Sequence, residues 1–154
     1  SEHNIQEKNI VKPLIANTQI APQYKTLNNI SKLNLMISGL SPNYIIKLLY
    51  ISERYVELIE YVENLPMRKI PLNDNQTIIY SDALYRLGKY EQAINSLNSI
   101  SELYPIDEKY FLLALYNKKL GNIDNMSTYL NNLISNYPNS EYFKLAKLQT
   151  QISK

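Results

Sequence analysis

"GKYEQAINSLNSISELYP" at residues 88–105 and "GNIDNMSTYLNNLISNYP" at residues 121–138 are two copies of one pattern. The two glycines lie 33 positions apart (121 − 88), and so do the two closing prolines (138 − 105). Glycine tolerates the left-handed backbone that ends a helix, and proline cannot continue a helix. We therefore predict that each copy contains a helix that follows a glycine turn and stops at Tyr-Pro.

The apolar residues of the second copy follow helical spacing. They recur at i, i+3, i+4, i+7, i+8 and i+11, at Met126, Tyr129, Leu130, Leu133, Ile134 and Tyr137. The start of a third unit is visible as well, because "YFLLA" at 110–114 returns as "YFKLA" at 142–146. The last segment therefore takes the position of a first helix, and its polar residues suit a terminal cap.

The rest of the chain is also predicted to be helical, and no segment alternates apolar and polar residues as a strand would. Ser41 is expected to cap a helix that has Pro42 at its first position. The predicted order is an extended arm at 1–22, a helix at 23–39, a divergent helical hairpin at 41–66, repeats at 75–105 and 107–138, and a capping helix at 140–154. Within the repeats we predict helices at about 76–87, 90–103, 107–119 and 123–136.

This pattern resembles the tetratricopeptide repeat family. In that family's frame Gly88 and Gly121 are the turn glycines, Tyr90 is the aromatic residue that follows, and Ala93 is the small residue of the second helix. The early tryptophan-like position departs from the family, because it holds Thr77 and Tyr110. The resemblance covers residues 75–154 well and 41–66 poorly. It implies an all-α fold, in which antiparallel helix hairpins stack into a right-handed superhelix.

The resemblance also implies where a partner would bind, in a groove lined by the first helices. The groove-facing positions would be Ile78, Asp82, Tyr85 and Arg86, then Phe111, Leu115, Lys118 and Lys119, and finally Phe143 and Lys147. Such a groove suits a helix or an extended peptide that carries apolar anchors and acidic residues. The positions at which chaperone-binding members clamp a carboxylate hold Ile78, Asp82, Phe111 and Leu115, so a chaperone tail is not expected.

Two alternatives stay open for these positions. The apolar ones, Ile78, Phe111 and Leu115, could instead pack in the core, since helical apolar stripes usually do. Lys118 and Lys119 could simply be a solvated helix end near the C-terminal carbonyls. The arm at 1–22 could lie in this groove or in a partner's, or it could be a linker.

Composition argues against several classes of function. The formal net charge is +2, from 16 basic and 14 acidic residues without long runs of one sign, which does not indicate nucleic-acid binding. There is no apolar stretch of the length that a membrane span needs. Cysteine is absent and His3 is the one histidine, so no metal site, cofactor site or catalytic group is predicted.

The sequence therefore predicts a non-catalytic scaffold that binds another protein through the repeats. The alternative is a structural or self-association module of a larger protein, and the oligomeric state is left open. "YPNS" at 137–140, followed by Ala146, is similar to repeats of bacterial cell-envelope assembly proteins, which favours the periplasm or cell envelope. Because the chain opens at Ser1, we expect it to be a piece of a longer protein.

Overall fold

The computed structural model describes residues 39–65, 71–101 and 103–152. In these ranges the regular elements are all helices, which confirms the predicted all-α class. They are α1 (Pro42–Ile51), α2 (Tyr55–Glu63), α3 (Asp74–Arg86), α4 (Tyr90–Asn98), α5 (Ile106–Leu120), α6 (Ile123–Asn136) and α7 (Phe143–Ile152). The predicted arm at 1–22, and the predicted helix at 23–39 except Gly39, lie outside the described residues.

Side-chain caps fix where two of the helices begin. The Ser41 hydroxyl accepts a hydrogen bond from the Tyr44 amide at 3.3 Å, and Pro42 occupies the first turn of α1, as the sequence predicts. At α3 the Asn73 side chain accepts from the Gln76 amide at 2.8 Å, while the Gln76 side chain accepts from the Asn73 amide at 3.0 Å. This reciprocal capping box starts α3 at Asp74, two residues before the predicted start.

The glycine turns have the backbone conformation that the repeat predicts. Gly88 has a φ of 78° and Gly121 a φ of 86°, both in the left-handed region. At each turn the amide of the residue after the glycine bonds back to a carbonyl of the last helical turn, from Lys89 to Leu84 at 2.9 Å and from Asn122 to Asn117 at 2.9 Å. This is the Schellman arrangement, which satisfies carbonyls that the end of a helix leaves without partners.

One helix is shorter than predicted. α4 ends at Asn98, whereas the apolar spacing had extended it to residue 103. The Ser99 hydroxyl donates to the Ser96 carbonyl at 2.6 Å, and the Ser99 amide bonds to the same carbonyl at 3.1 Å. Serine side chains compete with the backbone for helical hydrogen bonds, so the cluster of serines tightens and ends the helix.

The described residues form two compact units, which are treated separately below. The first unit ends at Lys89 and contains α1, α2 and α3. All three helices contact one another, and α3 packs against both of the others. Their buried apolar side chains form the core of the unit, with Ile46, Leu49, Leu58, Ile79 and Leu84 among its members.

The second unit begins at Tyr90 and is organised around α5, which packs against α4 and α6. α6 runs antiparallel to α5: Tyr129 lies 5.6 Å from the Tyr110 ring, and Asn125 donates to Asn117 at 3.4 Å at the other end. α7 packs on α6. A hydrogen bond of 2.6 Å from Ser140 to Asp107 joins the segment before α7 to the start of α5.

Replacing Gly121 with Ala should lower the free energy of unfolding by about 1 kcal/mol. No atom lies within 4 Å of an added Cβ, so the cost would come from the left-handed backbone rather than from a clash. Urea unfolding followed by circular dichroism measures this loss. The urea concentration at the midpoint should fall, while the slope of the free energy of unfolding against urea concentration should not change. Gly121→Asn is the control and should lose less, because Asn tolerates this conformation. A Gly121→Ala variant as stable as the parent would show that the left-handed backbone at this position does not require glycine.

Candidate functional site

The ten residues predicted to face a groove lie on three helices. α3 carries Ile78, Asp82, Tyr85 and Arg86, α5 carries Phe111, Leu115, Lys118 and Lys119, and α7 carries Phe143 and Lys147. The four on α3 belong to the first unit, and the other six belong to the second. Burial separates them further, into side chains of the core and side chains that reach solvent.

Four of the ten side chains are buried, whereas the sequence predicts an exposed strip. They are Ile78, Asp82, Phe111 and Leu115. The reason is that α3 and α5 are covered on every side: residues 81–84 and 111–117 are all buried. On such a helix the spacing of apolar residues does not distinguish a groove face from a core face. In this structure the four are core residues, and a role for them in binding a partner stays a prediction.

Asp82 lies at the centre of a polar cluster inside the first unit. The Tyr50 hydroxyl of α1 donates a hydrogen bond to the Asp82 carboxylate, and Arg86 Nε donates to the same oxygen at 3.3 Å. The Tyr55 ring meets the Tyr50 ring edge to face, with centroids 5.9 Å apart. A buried carboxylate is stable only when it is paired and hydrogen-bonded, and these contacts supply both.

Burial and neighbouring charges shift the pKa values in this cluster. Burial is the largest cause that raises the pKa of Tyr50, and the adjacent Asp82 carboxylate raises it further. Burial also raises the pKa of Tyr55 to about 12, against an opposing effect of Arg86. Burial alone would lower the pKa of Arg86, but Asp82, Tyr50 and Tyr55 together outweigh that effect, so its pKa is raised. Tyr50 therefore stays protonated while Arg86 stays charged.

This cluster joins two helices of the first unit. Asp82 accepts hydrogen bonds from both Tyr50 and Arg86, and therefore ties α1 to α3. Sequence reasoning selected Asp82 and Arg86 as groove residues but did not select Tyr50. The partners Tyr50 and Asp82 lie 32 positions apart, so no local signal in the sequence links them.

In the second unit, Phe111 is held by a residue that the sequence did not select. Its ring stacks on the Tyr142 ring with centroids 4.9 Å apart and an angle of 27° between the planes. Both side chains are buried. The contact joins α5 to the residue just before α7, and such a stacked pair adds about 0.5–1.5 kcal/mol to the effect of burial. Phe111 therefore holds the last helix in place.

The remaining six residues reach the surface of their units. Tyr85, Arg86, Lys118 and Phe143 are half-buried, while Lys119 and Lys147 are exposed. Lys147 Nζ lies 4.7 Å from the centre of the Phe143 ring, in cation–π geometry. Lys118 Nζ donates to Gln149 Oε1 at 3.0 Å, which connects the last turn of α5 to α7.

The cations of the second unit are unevenly distributed. In its described residues every lysine lies on α5 or α7, at positions 109, 118, 119, 144 and 147, and none lies on α4 or α6. The exposed positions of α4 and α6 are instead rich in Asn and Ser. Positive charge is thus confined to the helices in the first-helix position of the repeat. An acidic partner would be attracted to these helices.

The described ranges contain no group of three or more His, Cys, Asp or Glu side chains placed to hold a metal ion. His3 lies outside those ranges. None of the helices within them is both long and apolar enough to cross a lipid bilayer.

Replacing Tyr50 with Phe should lower the free energy of unfolding at neutral pH by about 1.5–3 kcal/mol, because it removes a hydrogen bond to a buried carboxylate. It should also flatten the alkaline decline in stability. Above the ordinary tyrosine pKa of 10.0, unfolded Tyr50 loses its proton while folded Tyr50 keeps it, so the stability of the parent falls as pH rises.

Urea unfolding at several pH values between about 7 and 11.5 measures both effects. Tyr129→Phe is the control, since this tyrosine lies in the second unit and has no part in the Asp82 cluster. Equal alkaline slopes for the parent and for Tyr50→Phe would show that Tyr50 is not the group responsible.

Replacing Phe111 with Ala should lower the free energy of unfolding by about 3–5 kcal/mol, because the side chain is fully buried and loses its stacking partner. Lys119→Ala, on the exposed end of the same helix, should change it by no more than about 0.5 kcal/mol. Chemical unfolding of both variants gives the comparison. A Phe111→Ala variant as stable as Lys119→Ala would show that Phe111 is not a core residue and would favour its predicted place on the binding surface.

Comparison with known proteins agrees with the repeat geometry. The family model described as tetratricopeptide repeat matches residues 80–105 and 110–140. No curated protein and no solved structure matches the chain. The second matched segment covers α5 from residue 110 onward, the turn at Gly121 and all of α6, which form the antiparallel hairpin of the second unit. The match supports tetratricopeptide repeats in these two segments, and repeats of this family generally mediate protein–protein interaction.

Proposed function

We propose that this chain is a non-catalytic scaffold that binds a helix or an extended peptide of a partner protein. The observation that carries the proposal is the tetratricopeptide match over α5 and α6, the hairpin whose first helix carries lysines at its exposed end. Stacked helical hairpins bury a continuous core and present their first helices as a binding surface.

The surface residues of the candidate site are proposed to make the contacts. In the second unit these are Lys118, Lys119, Phe143 and Lys147, which combine one accessible aromatic ring with three positive charges. Aromatic and cationic side chains commonly dominate the energy of an interface. The ring of Phe143 would bind an apolar anchor of the partner, and the lysines would pair with nearby carboxylates.

In the first unit, Tyr85 and Arg86 are proposed to contribute in the same way, because both are half-buried and lie on the last turns of α3. The four buried residues would act indirectly. Asp82 orients Arg86, and Phe111 fixes the segment that leads into α7. Ile78 and Leu115 would hold the helices beneath the surface.

We further propose that the partner belongs to a bacterial cell-envelope complex. The support is the similarity of "YPNS" at 137–140 and Ala146 to repeats of envelope assembly proteins, together with a composition free of cysteine. Fractionation of cells that express the full reading frame tests this. Recovery of the protein with the cytosol alone would refute the envelope assignment.

The double replacement Phe143→Ser with Lys147→Glu should lower the recovery of the partner at least tenfold. It removes the accessible ring of Phe143 and reverses the charge beside it, and a loss of about 1.4 kcal/mol in binding free energy lowers affinity tenfold. The measurement is quantitative affinity purification of the tagged chain from its own organism, followed by mass spectrometry. The variant should keep the helical circular-dichroism signal of the parent, since neither side chain is in the core.

The matched control is Ile123→Ser with Lys89→Glu, which also replaces one exposed apolar residue and reverses one exposed lysine. It should recover the partner to within about twofold of the parent. If both variants lose partner recovery equally, or if neither loses it, binding through α5 and α7 is refuted. Light scattering adds a separate readout: a dimer in place of a monomer of 17.9 kDa would favour self-association instead.

A further inference from the structure

Gln149 on α7 is a buried amide that holds a lysine of another helix. The residue is 5% exposed, and its Oε1 accepts a hydrogen bond from Lys118 Nζ at 3.0 Å. Lys118 is half-buried and lies in the last turn of α5. Because a lysine ammonium is carried on a long and flexible stem, its position normally varies. The bond to Gln149 therefore fixes the place of this positive charge.

The repeat shows that this contact belongs to α7 in particular. A shift of 32 positions (149 − 117) aligns Gln149 with Asn117 of α5, which is also a buried amide. Asn117 donates to the Leu113 carbonyl of its own helix at 2.8 Å and accepts from Asn125 of α6 at 3.4 Å. The Asn117 amide is thus used within its own hairpin. Gln149 is one methylene longer, and its amide reaches Lys118 on the preceding helix in the first-helix position.

The cations of the two units are held by groups of different charge. In the first unit, Arg54 pairs with the carboxylate of Glu57. Arg86 pairs with the carboxylate of Asp82. In the second unit, the oxygen that holds Lys118 belongs to an amide, which has no net charge. A carboxylate would neutralise the ammonium, whereas an amide orients it and leaves its positive charge in place.

We propose that Gln149 determines the specificity of the second unit for acidic partners. It positions the Lys118 ammonium to receive a side-chain carboxylate of the partner peptide. Because Gln149 acts through Lys118, it is a positioning residue. An ammonium that is already oriented loses less freedom on binding, so it binds a carboxylate more tightly than a mobile one. This inference rests on the proposed scaffold function and adds to it a residue that the sequence did not select.

Two substitutions at Gln149 separate orientation from charge. Gln149→Met keeps a side chain of similar length and removes the amide oxygen. Gln149→Glu keeps an acceptor but places a carboxylate beside Lys118, which neutralises its charge. The matched control is Asn132→Glu, which adds the same charge at an exposed position of α6, a helix outside the proposed contacts.

The probes are two capped peptides, acetyl-Glu-Leu-Glu-Leu-Glu-amide and the same peptide with Gln in place of each Glu. Capping removes the terminal carboxylate, so any carboxylate that binds belongs to a side chain. The full chain is labelled with ¹⁵N-lysine, and NMR follows the Nζ signal of Lys118 during titration with each peptide. This signal is assigned by its disappearance in Lys118→Arg. Urea unfolding of each variant is measured in parallel.

The Glu peptide should shift the Lys118 signal saturably and bind at least about fivefold more tightly than the Gln peptide. Gln149→Met should weaken binding of the Glu peptide at least about threefold, because the ammonium is no longer oriented. Gln149→Glu should weaken it at least about tenfold, because the new carboxylate repels those of the peptide. Asn132→Glu should change it by no more than about twofold, since the added charge is on another helix.

Binding of the Gln peptide distinguishes positioning from a purely structural role. A variant that disturbs the packing of α7 would weaken both peptides. A variant that only changes the ammonium should weaken the Glu peptide and leave the Gln peptide at the affinity that it has for the parent. We expect the second result for both Gln149 variants.

Three results would overturn the proposal. The first is that the Lys118 signal does not respond to the Glu peptide at concentrations up to about 10 mM. The second is that both Gln149 variants bind the Glu peptide as the parent does. The third is that they weaken both peptides equally, which would make Gln149 a purely structural residue. Partner recovery with the Phe143 and Lys147 variant still tests the scaffold function separately, since neither of those residues is changed here.

Discussion

The second unit depends on the requirement that α5 be covered on every side. Residues 111–117 are buried without interruption, and they include the large side chains of Phe111, Leu112 and Tyr116. Burying one large apolar side chain contributes about 1.5–3 kcal/mol relative to leaving it exposed. A helix of this composition cannot remain folded alone in water, so its neighbours are required for its stability. A repeat that supplies one helix after another meets that requirement.

Two sets of buried polar groups in these units are tolerated because their members have specific partners. In the second unit the buried Asn117 side chain donates to the Leu113 carbonyl at 2.8 Å and accepts from Asn125. In the first unit, Tyr50 and Arg86 hold the buried Asp82 carboxylate. Removing one partner of a buried charge costs far more than the net gain from the pair. Such contacts therefore fix which helix faces which, more than they add stability.

The features that the sequence predicted correctly are those set by local chemistry. The cap at Ser41 and the turns at Gly88 and Gly121 depend on residues within one helical turn, and the structure has all three. The early end of α4 escaped prediction, because apolar spacing continued past a serine cluster that ends the helix.

Burial was harder to predict than secondary structure. The apolar period shows that Phe111 and Leu115 lie on one face, but it does not show how many helices surround that face. Only the packed structure shows that neighbouring elements cover this face. The pairing of Tyr50 with Asp82 was likewise beyond prediction, since the two residues meet only after α1 and α3 have packed.

The uneven placement of charge is the reason for proposing the first-helix position as the functional side of the second unit. The exposed side chains of α4 and α6 are mainly Asn and other polar residues, with Glu91 and Asp124 but no lysine among them. α5 and α7 carry all the described lysines of the unit, and α7 also keeps accessible aromatic and aliphatic side chains. Desolvated apolar contacts supply most of the affinity at an interface, while charge selects and orients the partner. Both are present together on α7, so this helix is where recognition by the second unit is expected to be concentrated.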